Sequence, residues 1–234
     1  MEQIQNNRVI TDLYRENAQF PGIALDGSDV YLCWQRFVDR HDSLMASCRR
    51  VDEVVWEREI SDGGEVLHPV ILAHGGAIWY AWSEYARENW RILARCYRDG
   101  QWGEVLTVAS GEALFFPRLF TWQGKLHVIW TEQHKGSAAA VLCPLTEAGP
   151  GAAETVSVVG EAYRAGAAEG GDGNLYVAYD GFDGKQYKLF ARARTAAGWS
   201  EEIVVSQGED WASTPWIAAK PDGAVVGWYD CGYM

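Results

Sequence analysis

The terminal aromatic of a recurring segment sets the strongest constraint on how this chain can fold. A proline, a short apolar run, a glycine turn and an aromatic-rich strand read as PGIALDGSDVYLCW from Pro21 to Trp34. The same order returns as PVILAHGGAIWYAW from Pro69 to Trp82 and as PRLFTWQGKLHVIW from Pro117 to Trp130. A version without proline runs from Ala165 to Tyr179, and PWIAAKPDGAVVGW runs from Pro215 to Trp228. Trp34, Trp82, Trp130, Tyr179 and Trp228 are separated by 48, 48, 49 and 49 residues. A period near fifty marks a repeat architecture, in which equivalent residues of successive copies gather on one face.

Each copy contains four strand signals. In residues 66–110 a first strand, His68 to Ala73, is closed by Gly75-Gly76, and a second runs from Ala77 to Ser83. After the polar stretch EYAREN comes a third strand, Trp90 to Arg98, with alternating apolar positions. Asp99-Gly100 then turns the chain into a fourth, Trp102 to Ala109. Four antiparallel strands at this period predict an all-β fold, a β-propeller with blades of about 48 residues. The predicted blades are 18–62, 66–110, 114–159, 162–207 and 212–234, the last lacking its outer strands. Residues 8–12, RVITD, are expected to complete it, so that both chain ends close a single five-bladed domain. The alternative is an incomplete propeller that associates with a second copy.

Composition narrows the partners. A formal charge of -12 disfavours nucleic acid and anionic membrane surfaces. No apolar run of spanning length occurs, and the first residues carry no secretory signal pattern, which predicts a cytoplasmic protein or a secreted one whose leader has been removed. Cys48, Cys96 and Cys143 fall at one place in three successive copies, too far apart for disulfides, and are expected to be reduced core residues. No phosphate loop, EF-hand or zinc spacing is present, so no cofactor and no metal are expected.

In a propeller, the loops at one end of the blades surround the channel mouth. The residues expected there are Arg36, Glu84, Phe116, Arg118, Glu132, Arg164, Trp211 and Asp230. Gln19, Phe20, His68 and Thr214 are expected in or just before the first strands. Aromatic faces beside charged groups suit a sugar, whose C–H surface stacks on rings while its hydroxyls take charge-assisted hydrogen bonds. Four carboxylates, Glu84, Glu132, Asp180 and Asp230, also come from four blades, and a pair of them at 5 to 9 Å would be the machinery of glycoside hydrolysis.

The repeat P-x-[IL]-A-x-x-G-x-[VL]-[YW]-x-[AV]-W, followed by x-A-R-x-Y and W-x-E-x-x-V strands, resembles sialidase-like and TolB-like bacterial propeller repeats over nearly the whole chain. The resemblance implies the architecture. The S-x-D-x-G-x-x-W boxes of sialidases are absent, and FFPRLF at residues 115–120 stands where an F-R-I-P element would be sought. The sequence therefore predicts a non-catalytic module binding a carbohydrate or protein ligand. A glycoside hydrolase or lyase is the alternative, and a structural element of a larger assembly the third.

Overall fold

A computed structural model describes residues 17–51, 53–61, 63–208 and 210–231. Those residues form strands and turns with no helix. Their antiparallel strands fall into separate sheets along the chain, none closed on itself. The innermost strands are Asn17–Asp26, Glu65–His74, Ala113–Trp122, Ala162–Glu169 and Trp211–Lys220. Each pairs with the strand that follows it: Asp29–Val38, Ala77–Ala86, Lys125–His134, Leu175–Phe182 and Gly223–Cys231. Third strands are His41–Arg50, Asn89–Arg98, Ser137–Thr146 and Tyr187–Thr195. The fourth is continuous in the first sheet, Glu53–Glu59, and broken into two short pieces in the next three. In the fifth sheet two strands are described. Residues 8–12, expected to complete it, lie outside the described residues.

One boundary differs from the sequence expectation. EYAREN is not a polar connection: strands Ala77–Ala86 and Asn89–Arg98 run through most of it. The turn is confined to Arg87 and Glu88, both left-handed at φ 53° and 65°. Polarity misled here because the ends of these strands stand at the solvated rim, where period-2 pairing continues without apolar side chains.

Consecutive inner strands pack against one another from the first sheet to the fifth, a radial, propeller-like arrangement. The core lies between sheets. Tyr80, Trp82 and Leu93 of the second sheet pack on Cys33, Leu44 and Ile60 of the first. Trp79, Ala81 and Ala94, on the opposite face of the second, pack on Leu114, Val128 and Trp130 of the third. Strand alternation supplies both contacts from one sequence stretch. Cys33, Cys48, Cys96 and Cys143 are free and buried. Burial pushes the Cys33 thiol up to about 12 and that of Cys143 to about 11, as for inert core thiols.

The recurring aromatic has a structural cause. In every sheet the register of the inner strand slips at the same place: between Gln19 and Gly22, Leu67 and Val70, Phe115 and Arg118, Tyr163 and Gly166, and Ser213 and Trp216. At each slip two inner-strand residues stand opposite one on the second strand. That one residue is Trp34, Trp82, Trp130, Tyr179 or Trp228. This is a β-bulge, which bends the strand and re-aims a side chain. The first four aromatics are buried, and Trp228 is half-buried in the two-stranded sheet.

Candidate functional site

The bulges build the site. The first residue of each bulge has a left-handed backbone: Phe20 (φ 50°), His68 (φ 53°), Phe116 (φ 55°), Arg164 (φ 30°) and Thr214 (φ 55°). For a residue with a side chain this conformation costs on the order of 1–3 kcal/mol, and such strain gathers at functional sites. In four of the five, proline follows directly (Pro21, Pro69, Pro117, Pro215) and keeps the residue before it out of the right-handed helical region. All five left-handed residues line a single cavity of about 480 Å³, together with Arg118 and Trp216. Every sheet thus contributes to one pocket, where the inner strands meet.

The lining changes character from sheet to sheet. The bulge residues of the first three sheets present rings. The His68 ring lies 5.0 Å from Phe20 and 4.2 Å from Phe116, centroid to centroid. Burial holds the imidazole neutral, with its pKa lowered to about 4, and its Nδ1 is buried without a hydrogen-bond partner among the described residues. The fourth sheet brings charge. Arg164 donates to Asp180 at 2.7 Å and lies over the Phe116 ring at 5.8 Å. Asp180 is fully buried, and its Oδ2 also accepts the Thr214 backbone N–H at 3.3 Å. Its Oδ1 is buried with no partner among the described residues. Burial raises the Asp180 pKa and outweighs the opposing pull of Arg164. Arg118 completes the charged side; burial lowers its pKa, and the nearby Asp180 carboxylate opposes that shift.

Asp180 occupies a position that recurs. It pairs across the strands with Tyr163, just before the bulge; Gln35, Ser83 and Thr131 hold the same place opposite Gln19, Leu67 and Phe115. All four are buried, and each has an oxygen without a partner among the described residues. In three sheets the group is neutral, and in the fourth it is a carboxylate.

Of the residues expected at the mouth, the structure brings Phe116, Arg118 and Arg164 into this cavity. Phe20, His68 and Thr214 join them. The four carboxylates are not brought together. Glu84 is fully buried in the wall, accepting from Trp82 Nε1 at 3.1 Å and Arg91 at 2.5 Å, with Gly64 leaving room for it. Glu132 lines a separate notch of about 530 Å³ formed by the third sheet alone. Asp230 is exposed and accepts from Trp228 Nε1 at 2.8 Å. Arg36 pairs with Glu59 at 3.2 Å. Trp211 stacks near Tyr187 at 5.4 Å, beside Tyr163 and Phe182, in an aromatic patch of the fourth and fifth sheets. The sequence carries a signal for this division. Arg36, Glu84, Glu132 and Asp230 stand two residues after their aromatic and share its face, whereas Asp180 stands one residue after Tyr179 and faces the other way. Among the described residues no group of three or more His, Cys, Asp or Glu side chains is arranged to hold a metal ion.

No family model and no curated protein matches the chain. Solved structures do match its fold. The endo-arabinase of Bacteroides thetaiotaomicron aligns with a TM-score of 0.58 at 12% identity, over 89% of this chain and 88% of that one. The arabinanase Arb43A of Bacillus subtilis aligns at 0.52 and 14% identity, over 92% and 91%. Hydrazine synthase of Kuenenia stuttgartiensis aligns at 0.58 and 14% identity, over 97% and 77%. At these identities the likeness shows the fold, an all-β propeller-like array; no kinship with sialidases or TolB is shown. The likeness also corrects one expectation. The non-catalytic binding module read from the missing sialidase motifs gives way, because the neighbours of this fold include an endo-arabinase, an arabinanase and a family 117 glycoside hydrolase.

Proposed function

We propose that this chain is a carbohydrate-active enzyme that cleaves a glycosidic bond in the central cavity. One observation carries the proposal: five strained bulges, one per sheet, aim aromatic, cationic and imidazole groups into a single pocket, with a buried carboxyl in its wall. Phe20, Phe116 and Trp216 supply faces for sugar C–H surface. Bond cleavage needs a proton donor for the leaving oxygen and an acceptor for water or a ring proton. Asp180, a carboxylate behind Arg164 in the resting wall with a pKa that burial raises, is assigned as the donor, taking up its proton and reaching the cavity once the Arg164 guanidinium turns to the substrate. His68, neutral and with a free Nδ1, is assigned as the acceptor. The arabinanases among the neighbouring folds support a carbohydrate substrate.

The test is a panel of aryl glycosides and plant and bacterial polysaccharides, assayed with the wild type, Asp180→Asn and His68→Gln. Cleavage of at least one substrate, reduced a hundredfold or more in each variant, is expected. A folded protein inert on every substrate overturns the proposal, and activity unchanged in both variants overturns the assignments.

The proposal includes a ring of five blades closed at the fifth sheet by residues 8–12. Supporting it, Val225 and Tyr229 of the last strand and Ile23 and Leu25 of the first inner strand are well exposed. Removing residues 1–16 is expected to lower the melting temperature; an unchanged melting curve would reject that closure.

A further inference from the structure

The protein is acidic, yet among the described residues no acidic side chain lines the cavity, while two arginines do. Arg164 has a carboxylate partner, Asp180, set behind it in the wall. Arg118 has no hydrogen bond or ion pair among the described residues, and the nearby Asp180 carboxylate favours its charge against burial. Two guanidinium groups therefore share a single carboxylate. An arginine cannot shed its charge at neutral pH, so the pocket retains a net positive charge in surroundings of aromatic rings and proline. His68 adds no compensating anion. A desolvated cation without a partner is costly, and a ligand that supplies an anion there is favoured over a neutral one. Guanidinium groups match the paired oxygens of carboxylate or phosphate through parallel hydrogen bonds.

We propose that Arg118 and Arg164 form an oxyanion subsite, so that the substrate carries, or binds together with, a carboxylate or phosphate group. This rests on the carbohydrate reading above only for the identity of the molecule bearing the anion. The anion has two sources of shared chemistry: the carboxylate of a uronic acid, or free inorganic phosphate. Asp180 acts here as a positioning residue, holding the Arg164 guanidinium over Phe116.

The experiment titrates the whole protein with glucuronate, inorganic phosphate and, as the neutral control, glucose. Calorimetry and the fluorescence of Trp216, which lines the cavity, give the readouts. Two variants are compared with wild type: Arg118→Gln, and the double variant Arg164→Gln/Asp180→Asn, which removes both charges of the pair so that neither is stranded. Binding of at least one anion is expected, weakened tenfold or more in each folded variant and by added salt, with glucose binding weaker than either anion. The tighter anion identifies the source. Failure of both anions to bind folded wild type overturns the proposal, and so does binding that Arg118→Gln leaves intact. The two proposals fail separately. Anion binding at Arg118 without cleavage of any glycoside keeps the subsite and rejects the enzyme. Cleavage of neutral glycosides without anion binding does the reverse.

Discussion

The third and fourth sheets present the same scaffold with opposite chemistry. Each has a left-handed bulge residue on its inner strand, a buried polar residue across from the position before it, and a buried aromatic opposite the bulge. In the third sheet these are Phe116, Thr131 and Trp130; in the fourth they are Arg164, Asp180 and Tyr179. Backbone geometry is common to both, so it does not require the ion pair. The Arg164–Asp180 pair is a local substitution on a repeated frame. A buried ion pair is rarely the more stable choice for such a site, since desolvating two charges offsets their attraction. Its presence in one sheet of five points to function rather than to folding.

The comparison breaks most sharply if the pair is halved. Arg164→Ala leaves Asp180 buried beside an apolar wall, and a loss of about 3–5 kcal/mol in urea unfolding is expected. The equivalent Phe116→Ala strands no charge and should cost less. Equal losses from the two would mean that the pair is not stabilising Asp180.

A second test sets the imidazole of the second sheet against the Phe116 ring that follows it. The His68 pKa in the folded chain, about 4, lies below its ordinary value of 6.5. As pH falls, the unfolded chain therefore takes up the proton first. The stability from neutral His68 is complete above about pH 6.5 and is lost between there and about pH 4, by at most about 3 kcal/mol. Carboxylates also titrate in the lower part of this window, so the measurement is the difference in unfolding free energy between wild type and His68→Phe at pH 7.5 and 4.5. Identical pH profiles would show that His68 is solvated.

Smaller effects sharpen the comparison. Giving the fourth sheet the residues of the third, Arg164→Phe with Asp180→Thr, should fold with a stability change within about 1.5 kcal/mol, because both charges of the pair leave together and the half-exposed Arg118 keeps access to water. A loss as large as that of Arg164→Ala would show that the frame depends on the pair. Least affected should be Thr131→Val, which replaces a buried hydroxyl lacking a partner by an apolar group of similar shape; a change within about 1 kcal/mol, and as readily a gain, is expected by thermal unfolding.

These contrasts also show what the sequence could reveal. The spacing of Trp34, Trp82, Trp130, Tyr179 and Trp228 was legible because a bulge must be faced by one large side chain in every copy. The bulges themselves were hidden. Their residues are Phe, His, Phe, Arg and Thr rather than glycine, and nothing in a side chain announces a positive φ that the surrounding sheet imposes. Alignment of the copies groups Phe116, Arg118 and Arg164 on one face, and the three line the same cavity. The partition of the carboxylates was not, although counting positions from the aromatic separates Asp180 from Glu84, Glu132 and Asp230. What no count supplies is that Trp82 and Arg91 satisfy Glu84.

The five bulges have one more consequence. Because each lining side chain is delivered by a different sheet and stands outside its hydrogen-bonded ladder, it can be exchanged without renegotiating its neighbours' pairing. A library randomised at codons 20, 68, 116, 164 and 214 would sample pocket polarity, shape and charge on an unaltered chassis, which makes this molecule a natural starting point for retargeting to other small polar ligands.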